Sequence, residues 1–382
     1  MSGIGISDVV HAKILRFYPE LVIQLGGEPR ALLRKAGMDD DYFSDSSSGA
    51  TYRQMITLIE LAAETLGCPD FGLRLAKLQR GGAMFGPLGL VMKNSKTFGD
   101  ALHYVAAHIS AHSVAARVWL KRLPHEKAVF SGHDILIDGV PNKSQAMEQI
   151  MLLGHMSAMD TTGGCARARQ VHFRHERLSP LRTYRRHFGC EVRFGQNADG
   201  VVYSEQDLAA EIVAPDPKAF ERITAFIDQQ FAHDRPPLHA LARGIIMQFL
   251  WTGDCSNEQV AAQLNMHSRT LHRRLKTEGT SFQRIKDEVR RDILLYYVQE
   301  TKMDFARISE RLGFAEQSVM SRTCQRWLSA SPSTIRSQGT TRLPRERPIV
   351  GIRQASVGRK HLNTPPAHYD GEIGNGGVRF RG

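Results

Sequence analysis

The sequence predicts a multidomain chain in which an α+β domain is followed by an all-α domain containing two helix-turn-helix units. Three observations predict it. Between about residues 115 and 205, short alternating segments interrupt an otherwise helical apolar pattern, as expected of a half-buried sheet among helices. From 236 to 336 the helical patterns are short and well punctuated, and strands are hard to find. Within that second region the sequence repeats itself after 48 residues. A chain of 382 residues, 42% of them hydrophobic, is long enough for two separate cores.

Taken in order, the region from about 10 to 110 reads mainly as helix. In "YRQMITLIELAAETLG", Met55, Ile56, Ile59, Ala62, Ala63 and Leu66 form one stripe that stops at Gly67. The segments "ARVWLKRL", "KAVFSGHDILI", "RQVHFRH" and "CEVRFGQ" alternate like strands, and the helical patterns "NKSQAMEQIMLLGHMSAMD" and "PLRTYRRHFG" interrupt them. These elements assign residues 1–205 to the α+β domain. Residues 206–235, with the breaker-rich "VAPDPKAF" and "DRPPLHAL", read as an interdomain connection with a helix of its own. Residues 236–336 form the all-α domain. After Arg336 the chain is rich in Gly, Pro and Arg without a sustained period, so 337–382 is expected to be a disordered basic tail.

Charge separates these regions. The chain carries a formal +11, yet residues 1–255 contribute only +1, while 256–336 and 337–382 contribute +5 each. A polyanionic partner for the C-terminal third follows from that distribution. The five cysteines are widely spaced, without a Cys-x-x-Cys pair or a Cys/His set at zinc spacing, which fits a reducing compartment. The N-terminus lacks the pattern of a secretion signal, and no stretch approaches the roughly 18 apolar residues needed to cross a bilayer. A soluble cytoplasmic protein, associated with the nucleoid and not with a membrane, is the expectation.

The repeat gives the basic region its meaning. Shifting by 48 residues aligns "EQVAAQLNMHSRTLHRRL" with "ARISERLGFAEQSVMSRT", so that Val260 meets Ile308, Ala261 meets Ser309, Leu264 meets Leu312 and Asn265 meets Gly313. Each copy places a small residue in mid-helix, where two helices can cross closely. Asn or Gly then follows, where the chain must turn through positive φ. The second helix of such a unit enters the major groove. In the first copy this is "SRTLHRRLKTEG": Leu271 and Leu275 lie on one side, and Arg269, His272, Arg273 and Lys276 on the other. Ser268 is the expected N-cap. Arg269 and Arg273 can take guanine edges or hold phosphates, and His272 can contact either. Between the copies, "SFQRIKDEVRRDILLYYVQE" is a long amphipathic helix with Phe282, Ile285, Val289 and Ile293 on one face, a rigid spacer able to set two recognition helices about one DNA turn apart.

The residues "RTLHRRLKTEGTSFQRIKDEVRRDILLYYV" and "ISERLGFAEQSVMSRTCQRWLSASPSTIR" resemble the AraC/XylS-type transcriptional regulators. The segments "LGCPDFGLRLA", "GPLGLVMKNSKTFGDAL" and "YRRHFGCEVRFGQNADGVVYSEQDL" are similar to that family's arabinose-binding-type N-terminal domain, so the likeness runs from about 15 to 336. The resemblance implies an α+β sensor domain for a small-molecule effector, with a role in dimerisation. It also implies that Arg269, His272, Arg273 and Lys276, and in the second unit Gln317, Ser318, Ser321 and Arg322, face the groove. Val260, Leu264, Leu271, Leu275, Ile308, Leu312 and Trp327 match core positions. The chain departs from the pattern at Met320 and Cys324, where aromatic residues are common, and at Ser329, where glycine is usual.

The expected partners are double-stranded DNA, a small-molecule effector, RNA polymerase and a second copy of the chain; no cofactor or metal is implied. An enzyme is not expected. Gly-x-Ser-x-Gly, Walker and His-Glu-x-x-His patterns are missing from the sequence, and "RGGAMFGPLG" lacks the Gly-Lys-Ser/Thr ending of a phosphate loop. His103, His108 and His112 fall at helical spacing without an accompanying carboxylate set. The competing class is a nonspecific or architectural nucleic-acid binder without a ligand switch. About 200 near-neutral residues with a sheet core are excessive for that role.

Overall fold

The computed structural model describes residues 9–10, 12–40, 42–43, 50–231, 236–250 and 255–338. The expected tail, apart from its first two residues, lies outside the described residues. A two-residue antiparallel pair, β1 (Val9–Val10) and β2 (Ala50–Thr51), flanks the first helices, α1 (Tyr18–Gln24) and α2 (Pro29–Lys35). Then come α3 (Tyr52–Thr65), α4 (Phe71–Gln79), α5 (Pro87–Asn94) and α6 (Phe98–His108). A capping box starts α3: Gln54 N donates to Thr51 Oγ1 at 3.1 Å, and Thr51 N donates back to Gln54 Oε1 at 3.0 Å. The predicted stripe of α3 faces inward, with Met55, Ile56, Ile59 and Ala62 fully buried.

Five strands form the sheet: β3 (Ala116–Leu123), β4 (Ala128–Ile135), β5 (Gln170–His172), β6 (Glu191–Arg193) and β7 (Gly200–Ser204). Their order in space is β3-β4-β7-β5-β6, antiparallel except for the β5–β6 pair. In the β3–β4 hairpin, Ala116 lies opposite Ile135 and Leu123 opposite Ala128. The sequence predicts four of these strands and misses β7, the central one. Gly200, Val201, Val202 and Tyr203 are all buried, so both faces of the strand are covered and the alternation that marks a half-exposed strand is lost.

The long helix α7 (Ser144–Thr161) packs on α3 and α4 and reaches β7; α8 (Leu181–Phe188) lies on β6, and α9 (Glu205–Leu208) follows the sheet. The segment read as a connection carries α10 (Pro217–Phe231), which lies on α5 and buries Ile227 with Leu88, Val91 and Ala111. Its apolar face therefore extends the first domain's packing.

The C-terminal domain comprises α11 (Leu238–Phe249), α12 (Asn257–Gln263), α13 (Ser268–Thr277), α14 (Phe282–Glu300), α15 (Phe305–Arg311), α16 (Gln317–Leu328) and α17 (Pro332–Ser337). It has two cores joined by α14. Ile285 and Val289, from its first half, pack with Val260, Leu271 and Leu275; Leu294, Leu295 and Val298, from its second half, pack with Ile308, Leu312, Met320 and Cys324. Ile293 touches both cores. The 19 residues of α14 span about 28 Å at 1.5 Å per residue, so one straight element fixes the spacing of the two units.

Candidate nucleic-acid interface

Both units are built on the same turn. In the first, Asn265 adopts φ +52°, its N–H donates to Ala262 O at 3.0 Å, and Met266 N donates to Ala261 O at 3.0 Å. In the second, Gly313 adopts φ +63°, its N–H donates to Glu310 O at 2.9 Å, and Phe314 N donates to Ser309 O at 3.0 Å. Each donor and acceptor is displaced by 48 positions, so the sequence repeat is also a hydrogen-bond repeat. The small residues Ala261 and Ser309 are buried in the two cores, as a close helix crossing requires.

Helix α13, the expected recognition helix of the first unit, begins one residue earlier than the serine predicts. His267 is the N-cap, its Nδ1 accepting from Arg269 N at 3.2 Å, and Ser268 becomes the first helical residue, half-buried. His267 is extended (φ −75°, ψ 145°), a backbone suited to capping, so imidazole takes the place expected of a hydroxyl. Leu271 and Leu275 anchor the helix in the core, leaving Arg269, His272, Arg273 and Lys276 exposed. Arg274, not singled out from the sequence, is exposed beside them. The nearest acid along the helix is used elsewhere: Glu278 accepts from Leu238 N, His239 N and His239 Nδ1 at 3.0, 2.8 and 2.7 Å. Among the described residues, Arg269, Arg273, Arg274 and Lys276 form no ion pair, so their charge is directed outward uncompensated.

Helix α16, the expected recognition helix of the second unit, is more sparsely charged. Gln317, Ser318 and Arg322 are exposed, Ser321 is half-buried, and Arg326 adds a second exposed cation. Glu316 stands at the N-cap and takes a hydrogen bond from Ser318 Oγ at 3.0 Å. Met320 and Cys324 are fully buried in the positions where aromatic residues were the comparison, and burial pushes the Cys324 thiol up to about 11. Ser329 ends the helix in the left-handed region at φ +56°, the conformation for which glycine is usual.

Sequence reasoning missed the cations that hold the units to their spacer. Arg290, on α14, donates to Leu312 O at 2.9 Å and Gly313 O at 2.8 Å while its guanidinium lies 4.7 Å from the Phe314 ring centroid. Lys286 Nζ donates to Cys255 O at 2.6 Å on the approach to α12. A basic residue flanking an apolar stripe reads as a solvated charge in sequence; here its stem crosses the helix and its head satisfies turn carbonyls.

Comparison with known proteins supplies the family. Residues 26–212 match the family profile described as the arabinose-binding domain of AraC transcription regulators, N-terminal, and residues 260–338 match a helix-turn-helix domain profile. The chain is 29% identical over 334 residues to the HTH-type transcriptional regulator VirS of Mycobacterium tuberculosis, covering 87% of this chain and 98% of that one. It is 23% identical over 318 residues to the ornithine utilization regulator of Pseudomonas aeruginosa, covering 83% and 93% respectively. The solved structure of the transcriptional regulator CdpR from Pseudomonas aeruginosa aligns with 81% of this chain and 96% of its own, at 19% identity and a TM-score of 0.37. The chain belongs to the AraC-type transcriptional regulators. It is a DNA-binding regulator with a ligand-sensing type of N-terminal domain.

In this AraC-type regulator the two domains meet through hydrogen bonds that the sequence did not disclose. Asp292 of α14 accepts from Arg243 of α11 at 3.2 Å and from Gly139 N of the sensor domain at 3.2 Å. Tyr296 OH accepts from Glu176 N at 3.0 Å, and Arg311 donates to Gly195 O at 3.4 Å. Gln248 of α11 donates to Asp134 Oδ2 of β4 at 3.2 Å. Asp134 is fully buried and also takes Trp119 Nε1 at 2.9 Å and Arg174 at 3.0 Å, so a single carboxylate organises sheet and seam together. Lys143 lines a cavity at this seam with Arg174, Asp199, Arg243 and Asp292; burial pushes its ammonium down to about 8, against the pull of Asp292.

Proposed function

We propose that the regulator reads a two-part operator on double-stranded DNA, α13 and α16 entering successive major grooves. In this reading Arg269 and Arg273 supply base-edge and phosphate contacts, His272 and Lys276 flank them, and Ser268 lies against the backbone. Gln317, Ser318, Ser321 and Arg322 read the second half-site. The observation that carries the reading is the unpaired, exposed cation set of α13, mounted on a turn repeated 48 residues later and held by one rigid helix. Residues 1–205 act as sensor and dimerisation domain, 206–235 as connection and 236–336 as the DNA-binding domain. Exposed Leu90 on α5 and Phe226 on α10 support a second copy as a partner of the first domain. RNA polymerase is the further partner when the operator adjoins a promoter, and the site of action is the nucleoid in the cytoplasm. The chain is read as non-catalytic.

An effector bound in the first domain alters DNA affinity by favouring one of two domain arrangements, and the seam around Asp134, Asp292 and Tyr296 is where those arrangements differ. The test is genome-wide occupancy of the tagged chain beside an Arg269→Ala, Arg273→Ala version. Sharp peaks sharing a two-part motif about one helical turn across, lost in the variant, are expected. Diffuse, salt-sensitive occupancy that the substitutions leave unchanged would favour an architectural binder instead.

A further inference from the structure

Within the sensor domain a second cavity, of about 90 Å³, lies between the sheet and helices α3, α5, α6 and α7. Its walls are Phe85, Leu88, Leu102, Ile150, Met151 and Val201 with further apolar neighbours, and no Asp, Glu, Lys or Arg lines it. Its polar groups are Tyr52, His112, Ser131, His133 and Tyr203. His133 is 8% exposed, and among the described residues its Nε2 has no hydrogen-bond partner. Burial pushes its imidazole down to about 4, so at neutral pH the ring is uncharged, one nitrogen a donor and the other an acceptor. An unmatched polar atom in such a place is destabilising, and a ligand carrying one hydrogen-bonding group would offset that cost.

Gly154 is the second, independent observation. It sits inside α7, an 18-residue helix, where glycine is a poorer helix former than alanine. A close approach does not explain it. A Cβ added at Gly72 would lie 2.0 Å from Gln145 O, whereas one added at Gly154 meets no heavy atom within 4 Å. Gly154 lines the cavity, so what its missing side chain supplies is room.

We infer that this cavity takes the effector, and that the effector is a small, neutral, largely apolar molecule with a single hydrogen-bonding group that meets His133. This deepens the regulatory reading above and rests on it only for the transcriptional output. An apolar cavity of about 150 Å³ lined by Leu, Ile and Phe stays dry and binds benzene, so this one, at about 90 Å³, takes a molecule no larger than a single ring. An amino acid would bury an ammonium and a carboxylate here with no Asp, Glu, Lys or Arg to pair them. The chemistry of this site therefore departs from a zwitterionic amino acid such as ornithine. The route to DNA is short. His133 and Asp134 are adjacent on β4 and point to opposite faces, one into the cavity and the other to Gln248 of the DNA-binding domain.

The experiment is calorimetric titration and thermal shift on the full chain with phenol, pyrrole and benzene, set against L-arabinose and L-ornithine. Saturable one-to-one binding of at least one neutral aromatic, with a raised Tm, and no response to arabinose or ornithine, is expected. Gly154→Leu fills the cavity and should weaken that binding at least tenfold while DNA affinity stays within twofold. Gly154→Ala, whose methyl has free space, should fold at least as stably as the parent and weaken binding severalfold. His133→Leu should weaken the hydrogen-bonding probe about fivefold or more and leave benzene unaffected. Response to arabinose or ornithine alone, binding insensitive to both Gly154 variants, or no binding of any neutral probe would each overturn the inference. If the probes fail while sequence-specific DNA binding persists, only the cavity assignment falls. If they bind as expected but DNA affinity does not change, the assignment stands and the coupling falls.

Discussion

The two helix-turn-helix units have one backbone and two charge patterns. Both cross helices at a small buried residue, both turn through positive φ, and both close with the same pair of hydrogen bonds. Yet α13 presents Arg269, Arg273, Arg274 and Lys276 with its nearest acid occupied, whereas α16 presents Arg322 and Arg326 with Glu316 at its start. The fold is thus set by apolar register and turn residue, and the exposed face is free to differ. If the proposed two-part operator reading holds, this comparison predicts that the first unit supplies most of the phosphate attraction, while the second, with Gln317 on its leading turn, depends more on hydrogen-bond readout, since Gln pairs bidentately with adenine.

The largest effect should come from removing the charge asymmetry. Replacing Arg269, Arg273 and Lys276 together by glutamine should reduce the slope of log K against log salt by about 2 to 3, since each phosphate neutralised contributes roughly 0.9. The Arg322→Gln, Arg326→Gln pair should reduce it by about 1 or less, because Glu316 already offsets part of that charge. Titration of a fixed DNA duplex at several salt concentrations measures both slopes. Equal reductions would mean that the two helices share the backbone contacts evenly, and the asymmetry would carry no function.

Next in size is the tie between α14 and the second turn. Arg290→Met keeps the aliphatic stem but removes two hydrogen bonds to Leu312 O and Gly313 O and the contact over Phe314. A loss of about 1.5–3 kcal/mol in unfolding free energy is expected, typical for hydrogen bonds to a charged donor. Footprinting should show protection weakened at the second half-site and retained at the first. Uniform weakening across both half-sites would place Arg290 in the packing of the whole domain rather than in one unit.

How far the sequence could be read follows from the same physics. The turn residues Asn265 and Gly313 were legible because few residues tolerate positive φ, and Leu271, Leu275, Ile308 and Leu312 were legible because helical spacing marks a buried stripe. Exposure of Arg269, Arg273 and Lys276 followed from the same periodicity. β7 was not legible, since a strand covered on both faces has no alternation to detect. Nor were the cap at His267 or the roles of Arg290, Arg243 and Asp292, because a charged side chain beside an apolar stripe gives the same pattern whether it meets water or a buried partner. The cavity was hidden for a related reason: a glycine inside a helix looks like a weak helix former until the space beside it is known.

The smallest predicted effect tests the turn itself. Gly313 and Asn265 occupy equivalent left-handed positions, one with no Cβ and the other with a side chain that tolerates the strain. A Cβ at Gly313 would come no closer than 3.5 Å to Arg290, an ordinary contact, so the penalty of substitution there is conformational rather than steric. Gly313→Ala should therefore cost about 1 kcal/mol, Gly313→Asn roughly half as much, and Asn265→Gly should change stability by only a few tenths of a kcal/mol. Chemical denaturation of the three variants orders them. If Gly313→Asn proved as costly as Gly313→Ala, the second turn would be under a constraint that the first is not. The two units would then differ in backbone as well as in charge.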